Sequence, residues 1–578
     1  MYEYQREGVR WMHQLFEEGV GGILGDEMGL GKTAQICGGG GRRRVQEQGQ
    51  AQGRVGAGSI FLIVVPATVL HHWLQELYRW APFMRSLVLH SISPTAAELM
   101  RLGDSAITRV LRRLQRSPCP THLPGISPAG GAGVGLVVLA TYEGLRRYRG
   151  SLATIEWTAV CLDEGQKIRN PETDITAVCK RLPAFHRMIL SGTPIQNSLR
   201  ELWSLVDFTY PGRLGSLPIF EQEFATPIRL GGYANANMNE HGHLQYEIAI
   251  RCAATLQKIV KPYLLRRKKD DLTSVTNLPP KTEQVLFCQI SPRQRELYLN
   301  VLASDEVKAV LTRRMNAFRA INTLRKLCNH PALVYRNGQL LWSSAKPKNG
   351  GVGDVGSLGG GEGEGDGEGD GEDDRDELDA LSKRGGAGIV WADSGKLLVL
   401  SKVLPLWHSE GHKVLVFSQT RGMLGVIESM VRELGFKYLR LDGSTPVAKR
   451  AGIVHRFNTE TDIFVMLLTT RTGGVGISLT AANRVVLYDP DWNPMVDMQS
   501  RERTWRLGQT REVTVYRLIT RGTIEEKIYQ RQIFKLLLSN RVLENPNQKA
   551  LFSQTHMREL FELNESFYTP QGRGTGGG

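Results

Sequence analysis

The chain has 578 residues, too many for one hydrophobic core, so two or more domains are expected. Its net charge is +14, yet residues 362–379, EGEGDGEGDGEDDRDELD, hold eleven acids and one arginine; the remainder therefore carries about +24, which suggests a polyanionic partner. The seven cysteines form no CxxC pair and no run of about 18 uncharged apolar residues occurs, which argues against zinc sites, disulfide frameworks and membrane spans.

The opening residues, MYEYQREGVRWM (1–12), have neither the apolar core of a secretory signal nor the acid-poor character of a transit peptide. They read as domain sequence, as the start of a fragment or of an incomplete chain would. GGILGDEMGLGKTAQIC (21–37) then runs from a short apolar strand into a glycine-rich turn and towards a helix. The turn departs from the usual phosphate-binding pattern, because Asp26 stands where a glycine is expected. Gly29 and Gly31 still permit close approach, so the N–H groups from Gly29 to Thr33 can converge on a phosphate at the helix N-terminus. Lys32 supplies positive charge for the β and γ phosphates of a nucleotide, and the Thr33 hydroxyl suits Mg²⁺. Asp26, Glu27, Met28, Gly29, Leu30, Gly31, Lys32 and Thr33 are the candidate nucleotide-binding residues.

Residues 38–58 are glycine-rich and poor in large apolar side chains, and are expected to be a surface loop. SIFLIVVPA (59–67), GLVVLATY (135–142), TAVCLDE (158–164) and MILSGTP (188–194) read as strands. They are apolar nearly throughout, which implies burial on both faces and a parallel sheet. HHWLQELYRW (71–80) places Trp73, Leu74, Leu77 and Trp80 on one helical face. AVCLDEGQK (159–167) ends a hydrophobic strand in two adjacent acids, as a Walker B element does. Asp163 is the candidate Mg²⁺ ligand and Glu164 the candidate general base for an attacking water.

Residues 213–346 are expected to be a mostly helical protrusion, with basic clusters in LLRRKKDD (264–271) and FRAINTLRKLCNHP (318–331). Residues 347–389 read as a disordered Gly/acidic linker, a solvated spacer rather than a nucleic-acid mimic. Strand texture returns in KVLVFSQ (413–419), IFVMLLTT (463–470), RVVLYDPDW (484–492) and VTVYRLIT (513–520). The expected fold class is α/β, with one lobe over 1–212 and a second over 390–525, followed by a bracing helix and tail over 526–578.

The order of YQREGVRWM (4–12), GDEMGLGKT (25–33), LIVVPATVLHHW (62–73), LDEGQKIRNP (162–171) and LSGTPIQNSLRELWSLVDF (190–208) resembles the first lobe of Snf2-family ATPases. LRLDGST (439–445), LLTTRTGGVGISLTAANRVVLYDPDWNP (467–494) and QSRERTWRLGQ (499–509) resemble the second. The likeness covers nearly all the chain outside the two low-complexity segments. PYLLRRKKDD (262–271), LRKLCNHP (324–331) and TIEEKIYQRQIFK (523–535) are similar to the Cockayne syndrome group B branch, the remodellers of transcription-coupled repair.

The resemblance implies two RecA-like lobes with ATP and Mg²⁺ at their interface and duplex DNA running across both. Gln5 would recognise adenine, and Arg503 and Arg506 would be arginine fingers that join Lys32 and Glu164 in catalysis. DNA phosphates would be met by Pro66, Thr68, Thr141, Tyr142, Gly192, Thr193, Gln196 and Asn197 of the first lobe. The second lobe would add Gln419, Arg421, Thr470, Arg471, Gly473 and Gly474. Trp492 and Trp505 read as packing residues rather than base stackers. Gln166 stands where relatives have histidine, and Ser478 where asparagine is frequent.

The expected function is an ATP-dependent double-stranded-DNA translocase with a nuclear address, acting on chromatin or DNA-bound complexes, with nucleosomes and RNA polymerase II as further candidate partners. Two other readings stay open. A strand-separating helicase is disfavoured because no wedge hairpin is evident in the second lobe. A scaffold with a dead ATPase is disfavoured because Lys32, Asp163, Glu164, Arg503 and Arg506 are all present.

Overall fold

A computed structural model describes residues 1–39, 59–82, 84–90, 104–116, 135–192, 198–233, 240–272, 278–311, 317–336, 339–340, 390–473, 477–506, 508–543 and 563. The expected linker over 347–389, and nearly all of the expected loop over 38–58, lie outside these residues.

The first lobe is built on Gly22–Leu24 (β1), Ile60–Val65 (β2), Arg85–Leu89 (β3), Leu136–Thr141 (β4), Trp157–Asp163 (β5), Ala184–Leu190 (β6) and Leu264–Leu265 (β7). They form a parallel sheet in the order β3-β4-β2-β5-β6-β1-β7. All six residues of β4 are buried, as strands covered on both faces must be. Helices Glu3–Glu17 (α1), Lys32–Gly39 (α2) and Leu70–Trp80 (α3) surround the sheet. In α3 the buried residues are Leu70, Trp73 and Leu77, one face of a 3.6-residue period. Each such side chain contributes about 1.5–3 kcal/mol when fully withdrawn from water.

The second lobe contains Lys281–Cys288 (β8), a short antiparallel pair Tyr335–Arg336 (β9) and Gln339–Leu340 (β10), Val414–Ser418 (β11), Tyr438–Leu441 (β12), Val465–Thr469 (β13), Arg484–Leu487 (β14) and Val513–Thr520 (β15). Its main sheet is parallel in the order β12-β13-β11-β14-β15-β8. The chain is therefore two parallel-sheet α/β lobes flanked by helices.

The interval 213–346, expected as a helical protrusion and connecting region, divides its buried residues between the two lobes. Phe220, Ile228, Ala253 and Leu256 pack into the first core. Cys288, Tyr298, Leu324 and Leu327 pack into the second. β8 supplies the edge of the second sheet, running from Lys281 opposite Val513 to Cys288 opposite Thr520. KTEQVLFC carries polar residues over its first half and stays largely solvent-facing, so it lacks the continuous apolar run of a central strand. Helix Ile524–Leu543 braces the lobes: Gln532 Nε2 donates to Asp497 Oδ2 at 2.9 Å, and the helix also lies against Glu240–Val260 of the first lobe. The six described cysteines are all free.

Candidate active site between the lobes

In an open parallel sheet, the loops leaving the carboxyl ends of the strands gather on one edge, where ligands bind. The phosphate loop follows β1, the acid pair ends β5, and Ser191–Gly192 follows β6. Because β6 lies between β5 and β1, Asp163 pairs with Leu190, and Gly192 packs against Met28 so closely that a Cβ there would sit 2.7 Å from Met28 Cγ.

Gly29 and Gly31 adopt φ of +89° and +75°, a left-handed backbone that favours glycine. Space forbids a side chain as well: a Cβ on Gly31 would lie 2.6 Å from Gln5 Nε2. Lys32 starts α2 with its ammonium folded onto the loop, donating to the Asp26 carbonyl at 2.6 Å and the Glu27 carbonyl at 3.4 Å. Burial lowers the pKa of Lys32. Thr33 follows it, half-buried, on the first turn of the helix. Leu30 is buried beneath the loop. Gln5 lies against the loop, donating to the Leu30 carbonyl at 3.2 Å and accepting from the Tyr2 N–H at 3.0 Å.

Asp26 is fully buried and holds Arg267 from three sides: Nε at 2.9 Å, Nη2 at 2.6 Å and the backbone N–H at 3.2 Å. Gln35 Nε2 donates to it at 3.1 Å. The residue that replaces the expected glycine is thus an anchor for the 264–272 segment. Glu27 continues the contact, accepting the Lys269 N–H at 2.8 Å.

At the end of β5, Asp163 Oδ2 accepts from Trp73 Nε1 at 2.6 Å and Oδ1 accepts from the Glu164 N–H at 2.9 Å. Burial first, then the neighbouring Glu164 charge, push the Asp163 pKa up to about 7. Glu164 sits at φ 50°, ψ 51°, the one non-glycine with positive φ among the described residues. Such local strain clusters at functional sites. Gln166 Nε2 donates to Glu164 Oε2 at 2.7 Å, and Ser191 Oγ donates to Gln166 Oε1 at 3.0 Å. The amide thus ties the acid pair to the loop after β6.

The second lobe contributes Arg503, which is buried, and Arg506, which is half-buried. Arg506 lies over the phosphate loop, since a Cβ on Gly29 would meet its Cγ at 3.0 Å. Burial, then the like charge of Arg506, bring Arg503 down to about 9, while the nearby Glu164 charge opposes the shift. Arg506 is lowered chiefly by burial, and the Glu502 and Glu164 charges oppose that shift. Lys32, Arg503 and Arg506 therefore share one cleft with Asp163 and Glu164, and the cleft is short of negative charge. A polyphosphate with a divalent cation fits this balance, because the phosphates would offset the arginines and the cation the carboxylates.

The candidate DNA-contacting residues follow strand ends on the same edges, but several side chains turn inward. Thr141 Oγ1 caps the Gly144 N–H at 3.0 Å, and buried Tyr142 donates to the Asp163 carbonyl at 2.7 Å. Gln419 is held by Arg325 and by the Pro490 carbonyl, and its N–H donates to Asp489 Oδ1 at 3.1 Å. Thr470 is buried. Pro66 and Thr68 are half-buried between β2 and α3, and Arg421 opens a helix with its Nε unpartnered. Arg471 and Gly473 lie in the short turn Thr470–Gly473. Thr193, Gln196, Asn197 and Gly474 lie outside the described residues. Trp505 is buried, with Nε1 donating to the Pro279 carbonyl at 2.8 Å.

Sequence reasoning missed the Trp73, Arg267 and Lys269 contacts, and it looked for Gln166 to hydrogen-bond across the lobe interface, where the structure has it bonded to Glu164 and Ser191 of the first lobe. Only the RRKK cluster gave a signal, four cations directly after a two-residue strand.

The SNF2-related domain family matches residues 4–333, more than half of the chain, and the helicase conserved C-terminal domain matches residues 395–508. The chain belongs to the SNF2-related family. It is similar to the DNA excision repair protein ERCC-6 of Homo sapiens, 42% identical over 97% of this chain and 34% of that protein. DNA excision repair protein CSB of Oryza sativa subsp. japonica is 41% identical over 98% of this chain and 43% of that protein. DNA repair and recombination protein RAD26 of Saccharomyces cerevisiae is 39% identical over 97% and 49%. The chain spans between a third and a half of the length of these relatives. The solved "Sulfolobus solfataricus SWI2/SNF2 ATPase core in complex with dsDNA" is 26% identical, covering 98% of this chain and 97% of that chain, with a TM-score of 0.37. Membership of the family implies nucleotide binding. Among the described residues no helix is long and apolar enough to cross a membrane.

Proposed function

We propose that this chain is the motor of a double-stranded-DNA translocase that hydrolyses ATP and acts on chromatin or DNA-bound complexes in transcription-coupled repair. The observation that carries the reading is the packing of Arg506 from one lobe against Gly29 of the phosphate loop on the other, with Arg503 buried beside it. Hydrolysis and lobe movement are coupled when a charge needed by the reaction arrives only on closure.

In this reading the loop N–H groups and Lys32 hold the β and γ phosphates, and Gln5 stands towards the adenine. Thr33 and Asp163 hold Mg²⁺, which neutralises phosphate charge when bound. Glu164 takes the proton of the attacking water, and Gln166 fixes one of its carboxylate oxygens. Arg503 and Arg506 stabilise charge on the transferred phosphoryl group. The loops after β2, β4, β6, β11 and β13 meet duplex phosphates without reading bases, through backbone groups where the side chains turn inward. The relatives' names, DNA excision repair and DNA repair and recombination, support the repair assignment and a nuclear address. Nucleosomes and RNA polymerase II are the proposed targets.

The test is ATP turnover with no DNA, single-stranded DNA and duplex, combined with displacement of a triplex-forming strand. Duplex-stimulated turnover with triplex displacement and no unwinding is expected. Unwinding of a forked duplex would move the assignment to a helicase, and no turnover would leave a scaffold. Glu164→Gln should retain ATP binding but lose turnover; wild-type turnover in that variant removes Glu164 as the base.

A further inference from the structure

Lys269 closes the RRKK cluster and has been given no role so far, yet it joins the two halves of the site. The segment after β7 runs beside the phosphate loop: the Gly25 N–H donates to the Leu265 carbonyl at 2.7 Å, the Glu27 N–H to the Arg267 carbonyl at 2.9 Å, and the Lys269 N–H to Glu27 Oε2 at 2.8 Å. Backbone hydrogen bonds therefore fix Lys269 to the first lobe. Its side chain crosses to the second lobe, where Nζ donates to the Glu502 carboxylate and the Trp505 carbonyl and lies 4.6 Å from the Trp505 ring centroid. Lys269 and Glu502 are both fully buried. Glu502 immediately precedes Arg503, and its own carbonyl accepts from Arg506 Nε at 3.1 Å. A Cβ on Gly29 would lie 3.4 Å from Lys269 Cε and 3.0 Å from Arg506 Cγ, so lysine and arginine flank the same turn of the phosphate loop.

We propose that Lys269 is a positioning residue, a charge latch that holds the 502–506 segment, and with it Arg503 and Arg506, against the phosphate loop. A buried cation without its partner is strongly unfavourable, so this pair ties lobe closure to correct seating of the arginines. Glu502 keeps a second partner in Lys281, at 2.9 Å, which belongs to the second lobe and does not cross the interface. Lys269 therefore supplies the inter-lobe part of the interaction.

The proposal rests on the motor reading, and its test has one readout that does not depend on turnover. Spin labels on Tyr78→Cys and Leu406→Cys, exposed positions on opposite lobes, report the inter-lobe distance in a chain with Cys119 and Cys252 replaced by serine. Lys269→Met is expected to lengthen and broaden the distance distribution. It should also lower duplex-stimulated kcat by at least about tenfold, with the KM for ATP within about threefold, because the first-lobe phosphate loop is intact. Should Lys269→Met fail to fold, Glu502→Gln breaks the same pair while Lys281 retains Glu283 at 3.6 Å, and the same outcomes are expected. An unchanged distance distribution overturns the latch whatever happens to kcat, and so does wild-type kcat. Absence of turnover in the unsubstituted protein would instead sink the motor reading, leaving the distance measurement to decide the latch.

Discussion

Asp26→Gly would restore the glycine of an ordinary phosphate loop, and the structure says that the repair should do harm. Asp26 is fully buried, and its carboxylate is the principal anionic partner of Arg267, whose side chain is 13% exposed. Removing one member of a buried pair costs about 3–5 kcal/mol, because the surviving charge is left in low dielectric. The slight exposure of Arg267 argues for the lower end, about 3 kcal/mol, with the lost Gln35 hydrogen bond included in that figure. At a slope of about 3 kcal/mol per molar urea, the first unfolding transition should move down by about 1 M. Asp26→Gly/Arg267→Met removes both charges and should recover at least about 1 kcal/mol of the loss. The assay is urea unfolding by tryptophan fluorescence, alongside equilibrium binding of a fluorescent ATP analogue. If Asp26→Gly unfolds at the wild-type midpoint or binds nucleotide more tightly, Asp26 is not the anchor described, and the loop tolerates either residue.

Trp73→Phe keeps an aromatic ring, though a smaller one, and deletes the 2.6 Å donor to Asp163; a hydrogen bond to a charged group is worth about 1.5–3 kcal/mol, so the Mg²⁺ concentration for half-maximal turnover should rise about tenfold. A wild-type Mg²⁺ midpoint would show that the indole only packs. Gln166→Leu removes the tether on Glu164 and should lower kcat by about tenfold with little change in the KM for ATP; unchanged kcat would make the tether incidental. His186 is buried beside Phe16 and its pKa is lowered to about 4, below the usual histidine value, mainly by burial. A depressed histidine holds its contribution above the unfolded pKa near 6.5 and loses it as pH falls towards 4, so stability should drop by about 2 kcal/mol between pH 7 and about pH 5. His186→Leu should flatten that part of the urea-midpoint profile; an identical slope in the variant refutes the assignment.

The sheet cores were legible because central parallel strands are apolar at nearly every position, as in LVVLAT and VMLLT. Edge strands were not. β3 and β12 are short and half-exposed, and β8 begins KTEQ, so none carries the run that betrays a buried strand. The boundary of the second lobe was placed late for the same reason: β8 is separated from its partner β15 by more than 200 residues, and pairing at that range leaves no local trace. In the site, the residues proposed to touch phosphate or water were picked out by motif spacing (Lys32, Thr33, Asp163, Glu164) or by the family resemblance (Gln5, Arg503, Arg506). Residues that hold those residues were not, since Trp73, Arg267 and Lys269 act across separations of 90, 241 and 233 positions.

Those supporting contacts share a direction. Three segments that follow strand ends and carry candidate DNA-contacting residues each deliver a hydrogen bond to the acid segment ending β5. From α3, which follows β2, Trp73 reaches the Asp163 carboxylate; from the short helix after β4, Tyr142 reaches the Asp163 carbonyl; from the loop after β6, Ser191 reaches Glu164 through Gln166. All three donors are well inside the protein, where a misplaced polar partner is expensive and small shifts are not absorbed by water. A duplex that moves any one of these segments must therefore move, or strain, the groups proposed to hold Mg²⁺ and to activate water. Spatial contiguity alone does not establish coupling, which needs an element with two arrangements that both ligands bias. In the proposed motor the lobe interface would be that element, with Arg503 and Arg506 completing the site only when the second lobe is seated. Stimulation by duplex can then arise in the first lobe through these hydrogen bonds and be read out by the second through its arginines, with no separate relay domain.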